Sequence, residues 1–236
     1  MIFSLSLYSR LQQKKGSTMN LHLYYCPGTC SFVPHVMLEL VKESKGQDFS
    51  STMITLRTGE HLKPEYQAIN PRSQVPALIV DGQLVTQVVA ITNFLNETFP
   101  EAKILPTDPM EKAQALSMFV WMNNTVHPTF TRIFRSERFG DEAGKDSVKA
   151  MALEMFKTQL IEIDKLVANG RKFISGNQLS PADIYAVTFI RWAGMAGINP
   201  ANYPQYQRYA AAVAALPAVA RIMTKEGINL NTYVGN

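Results

Sequence analysis

The chain has 236 residues, of which 46% are hydrophobic and 18% charged, and its formal net charge is +4. That length suits one large domain or two small ones sharing a core, with the composition of an ordinary globular protein. The basic residues are scattered, with no stripe of interleaved aromatics, so nucleic acid is not an expected partner. No apolar run approaches the roughly 18 residues of a membrane span, so no membrane is expected either.

Residues 1–18, MIFSLSLYSRLQQKKGST, carry a short apolar stretch followed, not preceded, by Arg and Lys. That order is wrong for a secretory signal. We read it as a disordered extension or the product of an upstream start codon, with the fold beginning at Met19. The chain has only two cysteines, Cys26 and Cys30. They make no disulfide framework and suit a reducing compartment, so a cytoplasmic location is expected.

LHLYYC (21–26) is rich in β-formers and stops at Pro27-Gly28, which predicts a strand. SFVPHVMLELVKESK then shows helical apolar spacing at Val33, Val36, Met37 and Leu40. DFSSTMITL (48–56) reads as a second strand, and KPEYQAIN as a short helical or irregular link. VPALIVDGQLVT (75–86) carries two strands joined by Asp81-Gly82, a strong hairpin signal. VVAITNFLNETF (88–99) is helical. The order β-α-β-α-β-β-α suits a small mixed sheet with helices packed on it, spanning 19–98.

PEAKILPTDPM breaks the pattern as a linker, and everything beyond is helical in character, spanning 110–228. EKAQALSMFVWMNNTVH is expected to stop at Pro128. A second helix is expected over about 142–168. SPADIYAVTFIRWAGMAG is nearly all apolar and should be the buried centre of this half. Ser180 can cap it, Pro181 takes the first helical position, and Asp183 stands where a capping-box side chain reaches back. QYQRYAAAVAAL and AVARIMTKEG finish the bundle.

Four stretches carry candidate chemistry. In YYCPGTCSFVPH, Cys30 lies where a turn enters a helix, near the positive end of the dipole, which favours a thiolate. The C-x-x-x-C spacing with Pro-Gly inside weakens a redox pair. Zinc lacks a second cysteine pair, and His22, His61 and His127 show no ligand spacing, so no metal is expected. Both sulfurs as plain packing residues stays open on residue type. In NPRSQVPAL, Val75 precedes a proline that can take the cis form and leads into a strand; its exposed backbone could pair with a peptide-like ligand, although a simple loop is the commoner meaning of such a pair. In TQVVAI, Gln87 and the N–H of Val88 sit at a helix start, a natural anion site and also an ordinary cap. In NNTVHP, Asn124 and His127 share one helix face.

Together these stretches resemble a glutathione transferase. The P-G-x-C-S-x-x-P-H run, with His127 in the helical half, is similar to the bacterial beta class. The V-P-A-L and S-P-A-D elements belong to the wider superfamily, and the likeness runs from about Met19 to Gly227. It implies an α/β thioredoxin-like N-terminal domain that binds glutathione, an all-α helical bundle as the C-terminal domain, and a homodimer. It implies glutathione as co-substrate, a largely apolar electrophile as second substrate, and a role in detoxification. By the same match Cys30 is the glutathione-site cysteine and Cys26 a bystander. Val75 would pair its backbone with the cysteinyl part, Gln87 and Val88 would hold the γ-glutamyl end, and Asn124 and His127 would approach from the helical half. The Ser180–Asp183 box is structural in that reading. Met118, Trp121, Phe130 and Phe134 are candidates for the electrophile pocket.

Two positions depart from the beta-class pattern and bear on glutathione affinity. Val88 stands where a Ser is common, and Gly59-Glu60-His61 occupies the region after the second strand where many members carry a basic residue. The resemblance leaves two rival activities: thiol-disulfide or peroxide reduction through Cys30, and a non-catalytic ligandin-like binding role.

Overall fold

The computed structural model describes residues 19–235; the expected extension at 1–18 lies outside them. Strand β1 (Leu21–Tyr25) alternates buried and half-buried residues, as a strand with one face on a core should. Helix α1 (Phe32–Lys45) follows, with Pro34 in its first turn, where a missing N–H costs nothing. Strand β2 is short (Ser50–Met53). The rest of the predicted 48–56 strand turns into two 3-10 turns, Leu56–Thr58 and Glu60–Leu62, which reverse the chain at Gly59. Helix α2 is one turn long (Pro64–Gln67).

Strands β3 (Ala77–Val80) and β4 (Gln83–Thr86) form the expected hairpin. Its two-residue turn places both Asp81 and Gly82 at positive φ (47° and 83°), as a type I′ turn demands. Helix α3 is Val88–Thr98. The sheet order is β2-β1-β3-β4, with β1 parallel to β2 and antiparallel to β3.

The helical half contains α4 (Pro109–Trp121), α5 (His127–Phe134), α6 (Lys145–Val167), α7 (Pro181–Met195), α8 (Pro204–Ala214) and α9 (Pro217–Glu226). Helix α7 is buried from Pro181 to Gly194. Its capping box is in place: the Ser180 N–H and hydroxyl both donate to Asp183 Oδ2, at 2.6 and 2.8 Å. Asp183 Oδ1 also accepts from the Ile174 N–H at 2.8 Å and from the Tyr209 hydroxyl. One continuous apolar cluster runs from Leu23 and Phe32 in the sheet half to Phe156 and Phe189 in the helical half.

The expected helix end at Pro128 is a correction. Helix α4 passes through a π-helical turn, Met122–Val126, straight into α5, and Pro128 takes the first turn of α5. Proline has no N–H to give to the preceding turn, and widening that turn by one residue absorbs the loss without ending the helix.

Candidate active site

The end of the sheet defines the site. Met53 on β2 pairs with Tyr25 on β1, Tyr24 with Ala77 on β3, and Ala77 with Thr86 on β4. The loops leaving this row carry, in order across the sheet, Leu56–Leu62, then Cys30, then Val75, then Gln87 and Val88. Helix α5 and the π-turn stand over them. Between the two lies a cleft of about 770 Å³, lined by Cys30, Val75, Gln87, Val88, Asn124 and His127 together.

The Cys30 turn is braced from both sides. Ser31 Oγ donates to the Cys26 carbonyl at 3.0 Å and accepts the Cys26 N–H at 3.1 Å. Gly28, at φ +67°, donates its N–H to Glu226 Oε2 at 2.8 Å. Its carbonyl accepts from Trp192 Nε1 at 2.8 Å and Arg191 Nη1 at 3.3 Å. Glu226 Oε1 meets His35 Nδ1 at 2.8 Å, both side chains fully buried. The last helix of the bundle therefore holds the turn that presents the thiol.

Cys30 itself corrects an expectation. It is 8% exposed, and burial pushes its thiol up to about 12, against the weaker pull of the backbone N–H groups of Cys30 and Ser31. The helix start is present, but desolvation of a charged sulfur outweighs it, so Cys30 is a neutral thiol. Its Sγ donates to the Val75 carbonyl at 3.6 Å. Cys26, half-buried, is also pushed up, first by burial. The two sulfurs are both free.

The Val75-Pro76 bond is cis, and Val75 is half-buried at the cleft wall. Gln87 adopts φ +73°, ψ 128°, rarely populated by a non-glycine residue and costing on the order of 1–3 kcal/mol. No side chain caps α3, so the first N–H groups of the helix, beginning with Val88, are free for a ligand.

His127 faces the cleft against the Trp192 ring, 5.0 Å between centroids. Burial lowers its pKa to about 4, so it is a neutral imidazole. Tyr185 donates its hydroxyl to Asn123 Oδ1 at 2.9 Å, and Asn123 Nδ2 donates to Asn124 Oδ1 at 2.7 Å. With its proton spent there, the Tyr185 oxygen accepts from His127 Nδ1 at 3.4 Å. These bonds assign the imidazole proton to Nδ1 and leave Nε2 as an acceptor. Burial, then the nearby Cys30, raises the Tyr185 hydroxyl well above 10, which keeps that donor protonated.

Of the four pocket candidates, Phe130 and Phe134 line this cleft and Met118 and Trp121 do not. The π-turn changes the helical register between the two pairs. Met118 instead lines a second cleft beside Lys103 and Asn169, and Trp121 packs on the core. Phe130 stacks on Trp192 at 4.2 Å and 14°. Phe134 and Leu62, 43% and 57% exposed, give the mouth an apolar lip.

Other residues of the site escaped the sequence reading. Tyr185 and Trp192 lie within a stretch that reads as uniform core. Arg72, Arg135, Arg138 and His61 also line the cleft. The run RIFRSERF was the available signal for two of them. Among the described residues no group of three His, Cys, Asp or Glu is placed to hold a metal, and no helix is long and apolar enough to cross a membrane.

The family model described as "Glutathione S-transferase, N-terminal domain" matches residues 19–97, and that for the C-terminal domain matches residues 122–217. The glutathione S-transferase GstA of Escherichia coli O157:H7 is 29% identical over 210 residues, covering 87% of this chain and 98% of that protein. A maleylacetoacetate isomerase of Pseudomonas aeruginosa is 29% identical over 85% of this chain and 93% of its own length. The solved structure of a sphingomonad glutathione S-transferase complexed with glutathione shares 30% identity, with a TM-score of 0.75 over 88% of this chain and all of that one. With both of the family's domains matched in order over most of the described residues, this chain belongs to the glutathione S-transferase family.

Proposed function

We propose that the protein is a glutathione transferase that adds the glutathione sulfur to an electrophilic, largely apolar small molecule. The observation that carries the reading is the convergence of Cys30, Val75, Gln87, Val88, Asn124 and His127 on one cleft with an apolar lip. Val75 offers its backbone to the cysteinyl part of glutathione. Gln87 and the open start of α3 receive the γ-glutamyl end.

His127 and Cys30 act on the sulfur. A free cysteine-type thiol ionises at about 8.5, so the site has to favour the thiolate. Nε2 of His127 accepts the thiol proton. Burial opposes an isolated imidazolium, but a thiolate beside it restores the charged form, so the two ionise as a pair. Cys30, still protonated, donates its S–H to the same sulfur. The thiolate then forms a C–S bond with the electrophile, whose leaving group or activated π-bond takes the displaced electron pair.

The neutral state of Cys30 also weighs against the rival thiol-disulfide chemistry, which needs that sulfur as a thiolate. Ultraviolet absorbance of the thiolate, followed against pH with bound glutathione, tests the reading. The bound thiol should ionise about two pH units below the free one, and His127→Ala should return it most of the way. Turnover lost with Cys30→Ser and kept with His127→Ala would favour disulfide chemistry instead.

A further inference from the structure

Helix α9 ends at Glu226, and the chain reverses at Gly227, which takes a left-handed φ of +64°. The Gly227 N–H donates to the Thr224 carbonyl at 3.1 Å and the Ile228 N–H to the Met223 carbonyl at 3.0 Å, the paired bonds of a Schellman turn. Ile228 and Leu230 then pack on the core cluster, and residues 228–235 continue without regular structure. This stretch lies past the residues that carry the family likeness.

Its contacts converge on the end of α7. The Asn229 carbonyl accepts from Arg191 Nε at 2.6 Å, and the Thr232 hydroxyl donates to the Arg191 carbonyl at 2.5 Å. At Gly194 the crossing is too close for a side chain: a Cβ there would stand 2.7 Å from the Tyr233 N and 3.0 Å from the Thr232 carbonyl carbon. Glycine weakens a helix interior, so its place in the buried centre of the bundle marks a contact that needs the space.

Arg191 is the next link. It is 7% exposed, and its Nη1 donates to the Gly28 carbonyl at 3.3 Å, beside the Trp192 Nε1 donor. Gly28 is therefore held at both backbone polar atoms, its N–H by Glu226 and its carbonyl by Arg191 and Trp192. One turn of chain joins Glu226 to Asn229, so the stretch ties these two anchors together. An arginine side chain has several rotatable bonds, and ordering it costs entropy that its partners must offset. Asn229 fixes the Nε end and leaves Nη1 aimed at Gly28. Loss of that acceptor frees the guanidinium, and the turn carrying Cys30 loosens with it.

We propose that residues 228–235 form a strap that positions the Cys30 turn, through Arg191 and Gly28, and so sets the affinity for glutathione. Arg191 acts on the site only through Gly28, as a positioning residue. The inference rests on the glutathione reading above.

The chain truncated after Gly227, Gly194→Ala and Thr232→Val test it, with Thr232→Ser as the conservative control. Each is measured for calorimetric affinity for glutathione and for amide hydrogen exchange across 26–31, with the melting temperature as the check on folding. Truncation should weaken glutathione binding about tenfold. It should also speed exchange across 26–31 about tenfold, at a temperature where both proteins are folded. Gly194→Ala keeps every residue of the strap, blocks its crossing and should shift both readouts the same way. Thr232→Val should give a smaller shift and Thr232→Ser none. If the truncated chain does not fold, Gly194→Ala and Thr232→Val decide by the same criteria. Variants with lowered melting temperatures but wild-type affinity and exchange would make the strap a stability element alone and overturn the proposal. So would a loss of affinity confined to the truncation. Wild type that binds no glutathione would remove the glutathione reading and this proposal with it, whereas wild type that binds while every variant matches it removes the proposal alone.

Discussion

Glu226 and Gly28 stand 198 positions apart, and the Gly28 N–H donates to Glu226 Oε2 at 2.8 Å in a buried contact. Through that bond the last helix fixes the turn that carries Cys30. The other Glu226 oxygen faces His35, on the helix that follows the same turn. One carboxylate thus bridges the turn and its helix.

Replacing Glu226 should therefore act on both folding and the site. Glu226→Ala leaves a buried N–H and a buried imidazole without their partner, at a cost of about 3–5 kcal/mol. Urea unfolding measures that loss, and a raised KM for glutathione reports the loosened turn. Glu226→Gln keeps an acceptor for Gly28 and should recover part of both.

Gly28→Ala tests the other side of the contact. A Cβ there would stand 2.5 Å from Arg191 Nη1, at a φ of +67°. The left-handed conformation alone costs about 1–2 kcal/mol, and moving the guanidinium loses its bond to the Gly28 carbonyl. A total of about 2–4 kcal/mol is expected in equilibrium unfolding.

His127 predicts a pH dependence. Its pKa falls from about 6.5 in the unfolded chain to about 4 in the folded protein. The folded state binds this proton less tightly, so stability is full above pH 6.5 and declines as pH falls toward 4. The loss is at most about 3 kcal/mol. Melting temperatures followed from pH 7 to 4 should drop less steeply for His127→Asn than for wild type.

Asp183 separates folding from chemistry. It accepts four hydrogen bonds in full burial, so Asp183→Ala should cost about 3–5 kcal/mol. It lies outside the cleft, so the protein that remains folded should keep the wild-type KM for glutathione.

Much of this was legible in the chain because local chemistry decided it. Asp81-Gly82 reads as a hairpin since few other pairs accept two positive φ values, and Ser180-Pro181 with Asp183 reads as a helix start since each fills a specific capping role. Gathering Cys30, Val75, Gln87, Val88, Asn124 and His127 needed the family resemblance, since no spacing rule joins five loops and helices. Two features were out of reach. The π-turn at Met122–Val126 depends on how Pro128 is accommodated, and a proline normally signals an end. The state of Cys30 depends on burial by distant chain, which local dipole reasoning omits. The arginines were half legible: RIFRSERF marks Arg135 and Arg138 as a basic run, but they line one cleft with His61 only after the helical half folds over the sheet.

The central claim is that this cleft binds glutathione, and calorimetric titration of wild type and Cys30→Ser tests it most directly. One site per chain is expected, with micromolar to low-millimolar affinity, and Cys30→Ser should bind within a few-fold of wild type because the serine hydroxyl replaces the weak S–H donor with another donor. Absence of heat, together with no rise in melting temperature at several-millimolar glutathione, would contradict the account.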